Sequence, residues 1–481
     1  MRRKRIIYFN DARHYYLFVF EPPMKLEDAW VPVDEVAGTA VDTFVYGVAR
    51  GDGLFYPSKV GKRFGHDMEE FEQAAYWRVW YNMQSLMDRG LDPLKVLVDR
   101  THDKGMDFFA SLRMSGHECM DPAHRMENGG GGMAHPEVRE HHYRVLEELV
   151  SEYEIEGVEL DFAVPGGGPI MPTAEAPAVA AAMSEYVGRI AAMVRQHENK
   201  QIGVRVLPTE ELNRAQGLDV HAWLQQGHID FVVPIRYAYQ ILDPDMPIDW
   251  LIEAAHQADV SVYPSLQPYE DHPQSGAAER IWATPEQMRA AVANFWERGA
   301  DGFYAWFLRW PFDDAQRRIL TELGDAELIK EGDKHYCLAR NVKEAEALHY
   351  RTNLPVQIEA DDTGTHHPIP FYLADDTSAV ERIRQIRLKL KIYDLVSADR
   401  LEIYLNGSSL EDQTCLRDYY SYINAYGGQW LEFHLQPEVW PRKGDNLLEI
   451  VLQERAERLV SPLRLEKVEI LVEYGAYPST F

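Results

Sequence analysis

The sequence predicts an α/β protein, a (β/α)8 TIM barrel followed by a smaller C-terminal β-sandwich domain, and three observations predict it. Eight short apolar runs recur between Arg5 and about Leu323, each followed by a loop and a helical pattern. One of them, in EGVELDFAVPGGG (Glu156–Gly168), ends on a carboxylate and leads into a Gly/Pro loop, as strands do beneath the catalytic mouth of such a barrel. Beyond about Asn341 the periodicity changes from helical to alternating. We therefore expect a barrel in residues 1–330 and a sandwich in residues 331–481. A chain of 481 residues is too long for one compact core and long enough for both.

In order, the strand candidates are RIIYFN, DTFVYGV, DFFASLR, GVELDF, IGVRVL, IDFVVPI, VSVYPSL and DGFYAWF. Several are announced by a helix that ends in a Gly or Gly/Asp turn, as in DRTHDKGMDFFASL and WERGADGFYAWF, the usual chemistry ahead of a parallel strand. After Pro136, a favoured first helical residue, Val138, His142, Val145, Leu146, Leu149, Val150 and Tyr153 recur at helical spacing. The segment AEAPAVAAAMSEYVGRIAAMVRQHE and the Trp77–Met87 region read the same way, as helices packed on the barrel exterior. No G-x-G-x-x-G follows the first strand, so a dinucleotide fold is not indicated. In the tail, QIRLKLKIYDL turns Ile386, Leu388, Leu390 and Ile392 to one side, and Asn406-Gly407 marks a tight hairpin. That domain has no evident aromatic platform, and we read it as structural, covering a barrel edge or joining a homodimer.

Charge and cysteine content narrow the function classes. With 49 basic and 77 acidic residues the formal charge is -28, which opposes nucleic acid and anionic membranes as partners. Cys119, Cys337 and Cys415 are odd in number and widely spaced, so neither a disulfide framework nor a zinc-ligand pattern is expected, and no metal or cofactor is assigned. The apolar run after the basic RRKR segment is broken by Asn10 and Asp11, too short for a signal-peptide core, and a cytoplasmic location is the default expectation.

Within Val158–Phe162, period two turns Val158, Leu160 and Phe162 one way and Glu159 and Asp161 the other. Strand ends elsewhere contribute Asp11, Arg113, Arg205, Arg236, Tyr237 and, just past the last strand, Arg309. Guanidinium groups gathered at one mouth have two uses: partners for buried Glu159 and Asp161, or a bidentate clamp for an anionic substrate. The loop after the third strand is long and carries four consecutive glycines, Gly129 to Gly132, before His135 at the start of a helix. The positive end of that helix opposes an imidazolium, so a catalytic acid here needs a carboxylate to hold its proton, and an anionic sugar brings one. An amidohydrolase-like His-x-His pair, a nucleophile elbow and a P-loop are all missing. A retaining glycosidase with its nucleophile on the seventh strand is also disfavoured, because VSVYPSLQP reaches no carboxylate until Glu270.

EGVELDFAVP is similar to the DGVDLDWEYP-like motif of substrate-assisted chitinases, but the position of their catalytic glutamate is Ala163 here. The motifs RTHDKGMDFFASLRMS, HPEVRE, EGVELDF and GADGFYAWF resemble bacterial glycoside-hydrolase-like barrels with a C-terminal sandwich. Within that group, NDARHYY, the HPEVRE histidine, the arginine-lined mouth and the sandwich tail resemble the inverting sialidases of glycoside hydrolase family 156. The resemblance implies an exo-sialidase acting on a sialylated glycan or another anionic carbohydrate, with Asp11 as Brønsted base and His135 as Brønsted acid. Asp161, Arg113, Arg205, Arg236, Tyr237 and Arg309 are then the expected substrate-binding set. Two alternatives stay open: another barrel glycosidase that uses Asp161, and a non-catalytic carbohydrate-binding barrel.

Overall fold

The computed structural model describes residues 2–11, 17–50, 53–114, 121–163, 169–236, 240–272, 279–306, 311–341, 350–378, 382–419 and 428–475. Each apolar run becomes a strand: β1 (Arg5–Asp11), β2 (Thr43–Gly47), β3 (Asp107–Arg113), β4 (Gly157–Asp161), β5 (Gln201–Val206), β6 (Phe231–Pro234), β7 and β8 (Gly302–Trp306). β7 has two pieces, Ser261–Val262 and Ser265–Leu266, because Pro264 offers no N–H to a ladder. The first piece pairs with β6 and the second with β8, all in parallel register. The Pro264 carbonyl accepts the Tyr304 N–H at 3.0 Å, so this broken strand is where the barrel closes. The (β/α)8 barrel is followed by antiparallel sheets.

Alternation along the strands separates two apolar layers. Ile7, Phe9, Val45, Phe109, Phe231, Val233, Tyr263, Tyr304 and Trp306 fill the inside of the barrel. Ile6, Tyr8, Phe44, Phe108, Val158, Leu160 and Phe162 face outward into the larger core beneath the helices. The helix Pro136–Glu152 adds Val138, His142, Val145, Leu146, Leu149 and Val150 to its buried side. At the N-terminal end of the barrel, buried Arg5 donates to Thr43 and Asp107, each at 2.6 Å, and to Gln201 at 2.9 Å. Four strands, β1, β2, β3 and β5, are thereby tied from below.

The last barrel helix ends at Lys330, and the strand Lys334–Cys337 opens the sandwich. One sheet is built on Ile383–Tyr393 between Leu463–Tyr474 and Gln429–Leu435, and the other on Gly444–Glu454 between His366–Leu373 and Arg400–Leu405. Ile386, Leu388, Leu390 and Ile392 lie in the core between them. Asn406 and Gly407 both have positive φ, 51° and 82°, as the hairpin turn requires. Among the described residues no helix is long and apolar enough to cross a membrane.

Candidate active site

Strand register sets the heights of the charged side chains. Asp161 on β4 stands beside Arg113 on β3 and Arg205 on β5, while Glu159, one inward position deeper, stands beside Ser111 and Gly203. Arg205 reaches down as well as across. It donates to Glu159 at 2.5 Å and to Asp161 at 3.2 Å, and its Nη2 also contacts the Tyr304 hydroxyl. Its guanidinium lies over Phe9 at 4.3 Å and Tyr304 at 4.9 Å, and the residue is 0% exposed. Arg205 is therefore committed inside the chain, as a partner of the two buried acids.

Two carboxylates share that enclosed guanidinium, so one is under pressure to keep its proton. Burial pushes Glu159 above the ordinary carboxylate range; Arg205 opposes the rise and the Asp161 charge adds to it. Burial would pull the Arg205 guanidinium down, but Asp161 and Glu159 together hold it above its ordinary range. Ser111 donates to Glu159 at 2.7 Å, and Tyr304 approaches the same oxygen at 3.2 Å. Ser111 and Tyr304 were not among the expected site residues, although period two on DFFASLR and DGFYAWF places both on the inner face.

Arg113 is held differently. Its Nη2 is 3.8 Å from Asp11 and its Nε 3.6 Å from Asp161, ion-pair distances longer than hydrogen bonds. Among the described residues its Nε has no hydrogen-bond partner. Gly47 makes the reach to Asp11 feasible, because it stands between Asp11 and Ser111 in the register and has no side chain to intervene. A Cβ there would also come within 3.2 Å of the Phe9 ring. Asp11 and Arg113 each keep 7% of their surface open at the C-terminal ends of β1 and β3.

Asp161 is less available. It is 1% exposed, and its oxygens take Arg205, the Arg113 ion pair and the Ala163 N–H, the last at 3.1 Å. Ala163, at the position corresponding to the chitinase glutamate, presents its methyl to the barrel interior.

His135 is the N-cap residue of the helix Pro136–Glu152. Its Nε2 accepts the Gly131 N–H at 3.3 Å, and its ring lies 4.3 Å from that of His124. An Nε2 that accepts this bond carries no proton of its own. A side chain at Gly131 would collide with it, since a Cβ would lie 2.8 Å from Nε2. Among the described residues His135 makes no hydrogen bond or ion pair with Asp11, Arg113 or Asp161. His124, His135 and Glu137 place donor atoms within 4.8 Å of one another, a set able to hold a cation.

Arg236 does not join the acids of β4. It donates to Asp243 at 3.2 Å and to the Arg340 carbonyl at 2.6 Å, and lies over Tyr350. Burial pulls its guanidinium below the ordinary range, against the opposing pull of Asp243. Tyr237 and Arg309 lie outside the described residues.

No protein-family model and no curated protein matches the sequence. Solved structures resemble it at the level of fold. A cycloisomaltooligosaccharide glucanotransferase from Paenibacillus sp. is 8% identical with a TM-score of 0.34, over 96% of this chain and 57% of that one. The present chain thus spans little more than half the length of that enzyme. An α-L-fucosidase of family GH29 from Bacteroides thetaiotaomicron is 11% identical with a TM-score of 0.39, over 95% of this chain and 94% of that one. A β-1,4-mannanase of family GH113 is 12% identical with a TM-score of 0.40, over 69% of this chain and 98% of that one. These three neighbours are carbohydrate-active enzymes, and the likeness is one of fold alone.

Proposed function

We propose that the protein is a glycoside hydrolase that releases a terminal anionic sugar, a sialic acid, from a sialylated glycan by a single inverting displacement. The observation that carries this reading is Arg113, stationed between Asp11 and Asp161 at the mouth with contacts of 3.8 and 3.6 Å, looser than hydrogen bonds, and with 7% of its surface open. A guanidinium so placed can take a substrate carboxylate while it holds the neighbouring acid in position. Asp11 acts as the base. It removes a proton from water as that water attacks the anomeric carbon, and the leaving oxygen takes a proton from His135. An inverting geometry keeps base and acid roughly 6.5–9.5 Å apart, which leaves room for the water and keeps Asp11 clear of the substrate carboxylate. For Nε2 to donate, His135 gives up its bond from Gly131, and the bound carboxylate provides the counter-charge.

Asp161 is a poor alternative attacker, because its oxygens already serve Arg205, Arg113 and the Ala163 N–H. It holds the two arginines instead. The test is a panel of nitrophenyl and methylumbelliferyl glycosides with proton NMR of the first product. We expect hydrolysis of the α-sialoside with initial release of β-sialic acid. Turnover of neutral glycosides only, or initial release of the α anomer, refutes the proposal.

A further inference from the structure

Where the sandwich meets the barrel, three side chains with metal-binding atoms converge away from the strand-end site. His335 and Cys337 are two apart on the strand Lys334–Cys337, so both turn to the same side. Glu469 stands directly opposite Cys337 in the antiparallel register with Leu463–Tyr474. His335 Nε2 is 3.1 Å from a Glu469 carboxylate oxygen and 3.4 Å from Cys337 Sγ. All three donor atoms lie within 4.8 Å of one another and line a narrow cavity of about 30 Å3.

We infer that His335 Nε2, Cys337 Sγ and the Glu469 carboxylate form a binding site for one divalent transition-metal ion of the Zn2+ type. A tetrahedral ion with bonds of about 2.0–2.3 Å needs edges of about 3.4 Å between nitrogen and oxygen and about 3.6 Å between nitrogen and sulfur. The observed edges of 3.1 and 3.4 Å open to these values with shifts of a few tenths of an ångström. Hydrogen bonding uses the arrangement less well. A single Nε2–H cannot serve both Glu469 and Cys337 fully, and the sulfur already accepts from Gln287 Nε2 at 3.1 Å.

The mixed nitrogen, sulfur and oxygen set selects against Ca2+ and Mg2+, which take oxygen ligands. Burial, with the Glu469 and Glu270 charges, pushes the Cys337 thiol well above its ordinary range, so the arriving cation displaces a proton. Gln287 is the third residue of the barrel helix Pro285–Glu297 and also donates to Glu270 at 2.8 Å. It therefore orients the sulfur from the barrel side. Lys389 approaches Glu469 at 3.6 Å and competes for it, which makes the carboxylate the weakest arm. A bound ion pins two strands of the sandwich under a barrel helix.

The full-length protein, dialysed against a chelator, is titrated with Co2+ and then Zn2+. One equivalent of Co2+ should give a thiolate-to-cobalt charge-transfer band that Zn2+ displaces, and Zn2+ should raise the Tm. Cys337→Ser should lose the band with the circular dichroism unchanged, whereas Cys415→Ser and His124→Ala should keep it. His335→Ala should weaken Zn2+ binding by at least about tenfold, since loss of even an outer-shell partner costs about 10–100-fold. A wild type without the band, or a band that survives in Cys337→Ser, overturns the inference. If Cys337→Ser does not fold, equilibrium dialysis of His335→Ala and Glu469→Gln decides it, with unchanged Zn2+ affinity in both counting against the site.

Discussion

Arg113 and Arg205 flank the same aspartate and do different work. Arg205 has no exposed surface and bonds both Glu159 and Asp161, so its loss leaves two carboxylates buried with too little positive charge. Arg205→Met should cost about 3–5 kcal/mol in denaturant unfolding, the usual penalty for breaking a buried ion pair from one side. Arg113, with looser contacts, should behave as a binding residue. Arg113→Lys is expected to keep the wild-type Tm and raise KM for a sialoside at least about tenfold, because lysine cannot form the bidentate fork. The two proposed proton carriers are separable by leaving group. Asp11→Ala removes water activation and should lower kcat about 100- to 10,000-fold on every substrate. His135→Ala should lose comparable activity on natural sialosides but little on nitrophenyl sialoside, whose phenolate departs without a proton. Equal losses on both substrates would remove His135 from the acid role.

At the scale of elements, the barrel strands were legible because alternation, Gly/Asp turns and helical spacing all agree. The inward turn of Glu159 and Asp161 could be read from period two alone. What that pattern does not carry is the reach of a long side chain after it points inward. Arg205 bends down to Glu159, Arg113 reaches past Gly47 toward Asp11, and Arg236 turns to Asp243, yet in sequence all three are arginines near strand ends. Another element adds a pH dependence. Glu35, at the C-cap of the helix Leu26–Asp34, is pushed by burial from 4.5 to about 7, with the Phe312 N–H and Arg317 opposing. The unfolded chain binds this proton only below about pH 4.3, so between there and pH 7 the folded state holds more of it. The associated stability is present at low pH and is lost as pH rises through about 7. Glu35→Gln should therefore raise the Tm relative to wild type most at pH 8 and least near pH 5. A wild type and variant with parallel Tm profiles would show that Glu35 is not the group responsible.

For the whole molecule, we propose that residues 1–330 and 331–481 fold as two domains whose interface carries part of the stability of each. The sandwich was legible from its alternating runs; the interface was not, because its partners are far apart in the chain. Glu469 is 132 residues from Cys337, and Arg236 is 104 residues from the Arg340 carbonyl it binds. Arg236 tests the interface. It joins the end of β6 to Asp243, which also receives the Tyr350 hydroxyl, and to Arg340, just past the strand that opens the sandwich. Both members of the Arg236–Asp243 pair are 2% exposed at the side chain, so removing the cation strands a buried carboxylate. Arg236→Met should cost about 3–5 kcal/mol. Its calorimetric trace should divide into two transitions where the wild type shows one, since one of the barrel's ties to Arg340 is gone and the Arg340–Asp271 ion pair is left to hold that residue. Adding Asp243→Asn removes the stranded charge, so the double variant should recover part of the lost stability while the two transitions remain. If Arg236 instead binds substrate, as its position at a strand end first suggested, Arg236→Met will raise KM with the unfolding trace unchanged. A single unfolding transition with the wild-type Tm, whatever the kinetics, removes Arg236 from the interface.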